Sequence, residues 1–152
     1  MFVCHGNICR SPSAELIMKK AVAEQGIGDY FEIASSATTD EEIINGRGAP
    51  VYPPAKAELE RHGIACTGKY AVQLCYEDYN KYDMFIGMDS ENIGDMKRIF
   101  KDDPDGKISL ITEYASLGFT EIEDPWYTGR FDRVYFEIEK CCMGLIKELI
   151  NK

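Results

Sequence analysis

The stretch FVCHGNICRSPSAE, residues 2–15, decides the fold because it joins a short apolar run to a helix through an unusual loop. Residues 2–4 predict the end of a buried strand. Gly6 permits backbone angles that other residues avoid, and Asn7 tolerates the left-handed region. We therefore expect the loop to turn successive backbone N–H groups inward, and such a concave run of amides binds anions.

The residues that follow this turn extend the predicted anion site. Pro12 suits the first turn of a helix, so the positive end of the helix dipole would face the loop. Arg10 carries paired N–H donors that match phosphate oxygens. Helix N-termini and nearby cations favour the thiolate form of cysteine, and Ser11 is placed to donate to the sulfur. Cys4 is therefore predicted to be a nucleophile beneath a tetrahedral oxyanion, although the spacing of Cys4 and Arg10 alone is weak evidence.

The rest of the chain alternates predicted strands with predicted helices. Strands are expected at 2–4, 31–36, 84–89 and 107–111, helices at 13–25, 54–63, 90–100 and 131–150, and loops at 46–54 and 124–130. This order predicts an α/β fold, a single domain over residues 1–152 with a doubly wound, parallel four-stranded sheet and helices on both faces. Ligands of such sheets bind at the carboxyl ends of strands, where we expect Cys4 and Ser35.

Composition limits the classes of function. The 152 residues are 45% hydrophobic and 28% charged, as in a globular protein. The net charge of −9 argues against non-specific binding of nucleic acid or an anionic membrane. No signal peptide or membrane span is apparent, so a cytoplasmic location is expected. The six cysteines form no C-x-x-C and the two histidines have no metal-ligand spacing, so we expect free thiols, no metal and no cofactor.

The motif VCHGNICRSP, residues 3–12, resembles the signature of the low-molecular-weight protein tyrosine phosphatases. The resemblance runs over nearly the whole chain, including the serine of ASSAT (34–38), HGI (62–64), MDSEN (88–92) and DPWYTG (124–129). It implies a metal-independent enzyme that hydrolyses aryl phosphate monoesters through a cysteinyl-phosphate. The partner would be a phosphotyrosine-containing protein or peptide, and the product inorganic phosphate.

The resemblance also implies roles for single residues. Cys4 would attack phosphorus, Arg10 would hold the phosphoryl oxygens, and Asp124 would protonate the leaving phenolate. Without the resemblance, the spacing alone favours an ordinary Asp-Pro turn over a catalytic role for Asp124. Trp126 and Tyr127 would form the walls of a cleft around the aryl group.

Further residues of the loop and its support complete the expected site. The remaining substrate-binding positions of the loop are His5, Gly6, Asn7, Ile8, Cys9 and Ser11. In the family, an asparagine and a serine corresponding to Asn7 and Ser35 hold the loop in shape through a hydrogen bond. A cysteine at the position of Cys9 can form a reversible disulfide with the nucleophile, which blocks overoxidation.

Some positions depart from the family pattern. Ala34 and Val72 occupy places where many relatives carry an aspartate and an arginine. The variable loop reads TTDEEIINGRGAP, residues 38–50, and lacks the tryptophan often found there. Its residues Asp40, Glu41 and Glu42 predict an acidic rim, so phosphopeptides with acidic neighbours should bind poorly.

Three alternatives remain open on the sequence. Arsenate reductases share the fold but need two further thiols, one of them near the end of the third strand, where FIGMD (85–89) has none. Protein arginine phosphatases resemble the loop but typically carry threonine at the position of Ile8. A phosphate-sensing module without turnover is the third alternative, and the combination of Cys4, Arg10 and Asp124 disfavours it.

Overall fold

The computed structural model describes residues 1–152 and is built on a parallel four-stranded sheet. The strands are β1 (Phe2–Cys4), β2 (Ser35–Ala37), β3 (Ile43–Ile44), β4 (Arg47–Gly48), β5 (Phe85–Gly87) and β6 (Ile108–Leu110). The helices are α1 (Arg10–Glu24), α2 (Pro53–Arg61), α3 (Ser90–Phe100), α4 (Pro125–Thr128) and α5 (Phe131–Ile150). The sheet has the order β2-β1-β5-β6, while β3 and β4 form a separate antiparallel hairpin. None of the helices combines the length and the apolar character needed to cross a membrane.

Both faces of the sheet are covered, as the sequence predicted. Side chains alternate along a strand, so Phe2 and Cys4 join one core while Val3 joins the other. The first core includes buried residues of α1, α2 and α5. The second is smaller and packs Val3 with Phe85 of β5 and Phe100 of α3. The doubly wound α/β architecture is therefore confirmed.

The turn between β5 and α3 is fixed by a reciprocal cap. Asp89 accepts a hydrogen bond from the Asn92 backbone N–H at 2.8 Å, and the Asn92 side chain accepts one in return from the Asp89 N–H at 3.3 Å. Each side chain thus satisfies a backbone donor that the start of a helix leaves unpaired. The cap holds Asp89 at the carboxyl end of β5, next to the end of β1.

Two predicted boundaries near the loop are wrong. Helix α1 begins at Arg10 rather than at residue 13, because Pro12 has no N–H to satisfy and fits within the first turn. The second strand is Ser35–Ala37 rather than 31–36, because the β1 ladder starts by pairing Phe2 with Ser35. Ser35 therefore lies beside the start of β1 and not at the carboxyl end of its strand.

Two predicted loops contain short regular structure. Segment 46–54 includes β4 and the first residues of α2. Segment 124–130 includes the single turn α4, which Asp124 caps and Pro125 begins. A proline in the first helical position needs no hydrogen-bond partner, so this turn forms despite the loop-like composition around it.

Helix α5 offers a direct test of the packing. Ile138 is fully buried in the first core, whereas Met143 on the same helix is 45% exposed. Ile138→Ala should lower the free energy of unfolding by about 2–5 kcal/mol, and Met143→Ala by no more than about 0.5 kcal/mol. Urea unfolding followed by circular dichroism measures both. Equal losses in the two variants would contradict the assignment of this face to the core.

Candidate active site

A pocket of about 160 Å³ lies at the carboxyl end of β1. Its lining residues come from the Cys4–Arg10 loop, the segment after β2, and α4: Cys4, His5, Gly6, Asn7, Ile8, Cys9, Arg10, Glu41, Glu42, Asp124, Trp126 and Tyr127. All sequence-predicted site residues are in this lining except Ser11 and Ser35, which are buried behind the loop. A larger apolar cavity of about 570 Å³ lies beside the amino ends of β1 and β5 and contains no cysteine, serine or histidine.

The side chain of Asn7 holds the loop in its turned shape. Asn7 has the left-handed φ of 58° that the sequence suggested and is only 1% exposed. Its amide nitrogen donates to Ser11 Oγ at 2.8 Å and to Ser35 Oγ at 2.9 Å. Its amide oxygen accepts from the Val72 N–H at 3.0 Å. The Asn7–Ser35 contact expected from the resemblance is present, because the Asn7 side chain reaches back to the start of β2.

The sulfur of Cys4 lies in a polar surround although it is buried. The Asn7 backbone N–H donates to Cys4 Sγ at 3.3 Å, and Ser11 Oγ lies 2.9 Å from the sulfur. An amide and a hydroxyl therefore face the sulfur, and hydrogen bonds of this kind are strongest when the acceptor is ionised. This arrangement suits a nucleophile better than an inert core thiol.

Arg10 is a buried cation in a fixed orientation. Its Nη1 donates to Asp89 Oδ2 at 2.7 Å and to the Ile122 carbonyl at 3.0 Å. Burial tends to lower the pKa of Arg10, but the neighbouring Cys4 and Asp89 outweigh it and raise that pKa overall. The guanidinium thus stays charged and cannot rotate freely. No role for Asp89 follows from the sequence alone, although its place directly after a buried strand, in MDSEN, is a signal for a residue at the site.

Asp124 approaches the same pocket from the other side. Its Oδ1 accepts from the Trp126 N–H at 3.0 Å, which caps α4. Its Oδ2 lies 3.7 Å from Arg10 Nη2, and the side chain remains partly exposed. A carboxyl group held at the pocket mouth can transfer a proton to or from a bound ligand.

Aromatic rings stand at the entrance. Trp126 and Tyr127 line the pocket and are largely exposed, so they do not serve as core residues. The Tyr52 ring supports Trp126, with their centroids 4.6 Å apart. Sequence reasoning missed Tyr52, since an aromatic residue in a proline-rich segment carries no specific signal. The exposed rings provide an apolar wall on which an aryl group can stack.

Two of the three predicted acidic rim residues reach the pocket. Glu41 and Glu42 line it, whereas Asp40 is exposed outside it. Glu41 Oε2 lies 2.9 Å from His5 Nε2, which anchors the β2–β3 segment to the loop. A Cβ on Gly6 would lie 3.2 Å from the Glu42 side chain, so the close approach of this segment favours glycine.

Cys9 lies in the pocket lining, but its thiol differs from that of Cys4. Burial, followed by the negative charges of Cys4 and Asp124, raises the pKa of Cys9 well above its ordinary range. The thiol form, which is the less reactive one, therefore predominates at neutral pH. All six cysteines are free. The redox role of Cys9 stays a prediction.

One group of side chains has the spacing of metal ligands. Ligand atoms of His5, Glu91 and Asp95 lie within 4.8 Å of one another. Only His5 belongs to the pocket lining, and Asp95 is already paired with Arg98 at 2.6 Å. Because Glu91 is exposed and Asp95 already has a cationic partner, the group needs no ion to account for it.

Comparison with known proteins agrees with this geometry. The family model described as low molecular weight phosphotyrosine protein phosphatase matches residues 1–152. The chain is 35% identical to the pig protein of that name over 153 aligned positions, covering 98% of this chain and 94% of the relative. The solved structure of YfkJ from Bacillus subtilis superposes with a TM-score of 0.92 at 31% identity, covering 99% of this chain and 92% of the other.

A second solved structure gives the same result. It is SP-PTP, a low molecular weight protein tyrosine phosphatase from Streptococcus pyogenes, with a TM-score of 0.83 at 37% identity. The match covers 97% of this chain and 90% of the other. The chain belongs to the low molecular weight phosphotyrosine protein phosphatase family.

Proposed function

We propose that this protein is a protein tyrosine phosphatase that hydrolyses phosphotyrosine in proteins or peptides and releases inorganic phosphate. The observation that carries the proposal is the convergence of Cys4, Arg10 and Asp124 on one pocket with an aromatic wall. Membership of the family supports the same chemistry. Neither a metal nor a cofactor is part of the proposal, because Arg10 and the loop amides supply positive charge to a phosphoryl group. A cytoplasmic location is proposed as well.

The first step transfers the phosphoryl group to the enzyme. The Cys4 thiolate attacks phosphorus, and the bond between phosphorus and the phenolic oxygen breaks. Arg10 and the backbone N–H groups of the loop hold the non-bridging oxygens as charge shifts onto them. Asp124 gives its proton to the departing phenolate, so the protein or peptide leaves with an unmodified tyrosine side chain.

The second step returns the enzyme to its starting state. Water attacks the phosphorus of the cysteinyl-phosphate while Asp124, now a carboxylate, accepts the water proton. The phosphorus–sulfur bond breaks, which releases inorganic phosphate and the Cys4 thiolate. Ser11, 2.9 Å from Cys4 Sγ, is placed to donate to the departing sulfur.

The pocket lining suits an aryl phosphate better than it suits phosphoarginine or arsenate. Ile8 adds an apolar side chain to the lining where the arginine phosphatases typically carry a threonine. An arsenate reductase would need two further thiols in reach of Cys4. The lining contains only Cys4 and Cys9, and Cys66 and Cys75 lie outside it. The lining therefore favours phosphotyrosine as the substrate.

Removal of the nucleophile should abolish turnover. We expect Cys4→Ser to hydrolyse no para-nitrophenyl phosphate above background while still binding inorganic phosphate, because the serine hydroxyl is not ionised at neutral pH. Isothermal titration with phosphate and a colorimetric assay measure the two properties. Cys75→Ser, at an exposed cysteine outside the pocket, is the matched control and should keep full activity. Substantial turnover by Cys4→Ser would refute the mechanism.

Removal of the proton donor should depend on the leaving group. Asp124→Asn should lower kcat for phosphotyrosine by about 10²- to 10⁴-fold. The loss should be smaller for para-nitrophenyl phosphate, whose phenolate leaves more readily without a proton. Asp29→Asn, at an exposed position remote from the pocket, serves as the control. Equal losses for both substrates would argue against Asp124 as the proton donor.

The acidic rim should discriminate among peptides. The double substitution Glu41→Gln and Glu42→Gln should lower KM for a phosphotyrosine peptide with acidic neighbours by about fivefold, the equivalent of about 1 kcal/mol for close like charges in water. The KM for a neutral peptide should stay unchanged. Steady-state kinetics at low salt measures both. A wild-type preference for acidic peptides would contradict the prediction.

A further inference from the structure

The imidazole of His5 lies between two structural elements at the edge of the pocket. His5 directly follows Cys4, lines the pocket and keeps 38% of its side chain exposed. Its Nε2 lies 2.9 Å from Glu41 Oε2 of the segment after β2, and its Nδ1 lies 4.0 Å from Glu91 Oε1 of α3. One ring therefore has a carboxylate on each side, beside the opening through which a substrate would enter.

The two carboxylates have no other cationic partner. His5 is the only basic group that forms an ion pair with Glu41 or Glu91, and both carboxylates are largely exposed. Asp95 also lies close to His5, but Arg98 already binds it at 2.6 Å. Exposed carboxylates stay ionised above about pH 5.5. The net charge on this side of the pocket therefore depends on whether His5 is protonated.

An imidazole is suited to vary this charge. Imidazoles gain their proton between about pH 5 and 8, and His5 is the only imidazole in the lining. The permanent cation of the lining, Arg10, is buried and already paired with Asp89. The remaining titratable side chains of the lining are Cys4, Cys9, Glu41, Glu42, Asp124 and Tyr127. A neutral His5 leaves Glu41 and Glu91 uncompensated, whereas a protonated His5 places one positive charge between them.

Backbone hydrogen bonds hold this arrangement independently of the imidazole. The Thr39 N–H donates to the His5 carbonyl at 3.2 Å, and Thr39 Oγ1 donates to the same oxygen at 2.9 Å. The Thr38 N–H donates to the Cys4 carbonyl at 2.9 Å. Because the acceptors are main-chain atoms of the loop, a substitution of the His5 side chain leaves these bonds available. The charge of this side chain can therefore be changed while the segment after β2 stays in place.

We propose that His5 is a specificity-determining residue: its protonation weakens the preference of the pocket for basic over acidic residues beside the phosphotyrosine. A neutral His5 leaves Glu41 and Glu91 to attract a lysine or arginine of the peptide and to repel an aspartate or glutamate. A protonated His5 offsets the negative field of the two carboxylates. The inference rests on the proposed phosphatase function, and it adds to the acidic rim a residue that makes the effect of the rim depend on pH.

The ratio of two kcat/KM values measures this preference. Two phosphotyrosine peptides that differ only in a lysine or an aspartate beside the phosphotyrosine are compared at low salt, from about pH 5.5 to 7.5. Titration of the phosphate, of Cys4 and of Asp124 affects both peptides and cancels in the ratio. We expect the advantage of the lysine peptide to grow about fivefold over this range, as for a unit charge that acts on side chains of either sign about 8 Å away in water.

Substitutions of His5 should hold the ratio at one of its two limits. His5→Gln removes the titrating charge and should keep the ratio at its high value at every pH, whereas His5→Lys should keep it at its low value. His62→Gln is the matched control, because His62 is the only other histidine and lies outside the pocket, with its ring centroid 3.8 Å from that of Tyr135. This control should retain the wild-type pH dependence of the ratio.

The proton on His5 can also be followed directly. In His62→Gln the only histidine signal in the NMR spectrum belongs to His5, and this signal should titrate with the same midpoint as the kcat/KM ratio. This comparison decides the matter if the His5 variants fail to fold, since clearly different midpoints would show that another group controls the preference.

The outcomes separate the inference from the proposed function. A wild-type ratio that stays constant with pH, or a pH-dependent ratio that persists in folded His5→Gln, would overturn the inference. A wild-type protein that hydrolyses neither the peptides nor para-nitrophenyl phosphate would overturn the phosphatase proposal instead.

Discussion

The buried side-chain amide of Asn7 is the contact on which the geometry of the site depends. A left-handed backbone costs a residue other than glycine about 1–2 kcal/mol, and Asn7 adopts it with a φ of 58°. Hydrogen bonds to Ser11, Ser35 and Val72 offset this cost, at about 0.5–1.5 kcal/mol each. Without them the loop would relax, and the Asn7 N–H would no longer face the Cys4 sulfur.

The fold brings together chemical groups that are far apart in the sequence. Cys4 ends β1, Arg10 begins α1 and Asp124 caps α4, so three separate elements each contribute one group. Asp89, held by the cap of α3, fixes the Arg10 guanidinium through a bond of 2.7 Å. A parallel sheet makes this possible because all its strands end at one edge. The buried Arg10 guanidinium thus faces the pocket in a chain whose net charge is −9.

The sequence predicted the parts whose signals are local. The turn at Asn7 followed from Gly-Asn chemistry, and the sheet followed from the alternation of elements. The start of β2 at Ser35 could not be predicted, because it depends on which residues β1 pairs with. The role of Asp89 was missed for a similar reason. Asp89 pairs with Arg10, which lies 79 positions away in the sequence, and only the tertiary structure brings the two together.

The most direct test is to trap the enzyme between the two chemical steps. Rapid-quench mass spectrometry during turnover of para-nitrophenyl phosphate should find one phosphoryl group per chain, attached to Cys4 Sγ. A burst of nitrophenol equal to the enzyme concentration should accompany it if hydrolysis of the intermediate is the slower step. A phosphoryl group on another residue, or turnover with no phosphorylated protein at any quench time, would contradict the account.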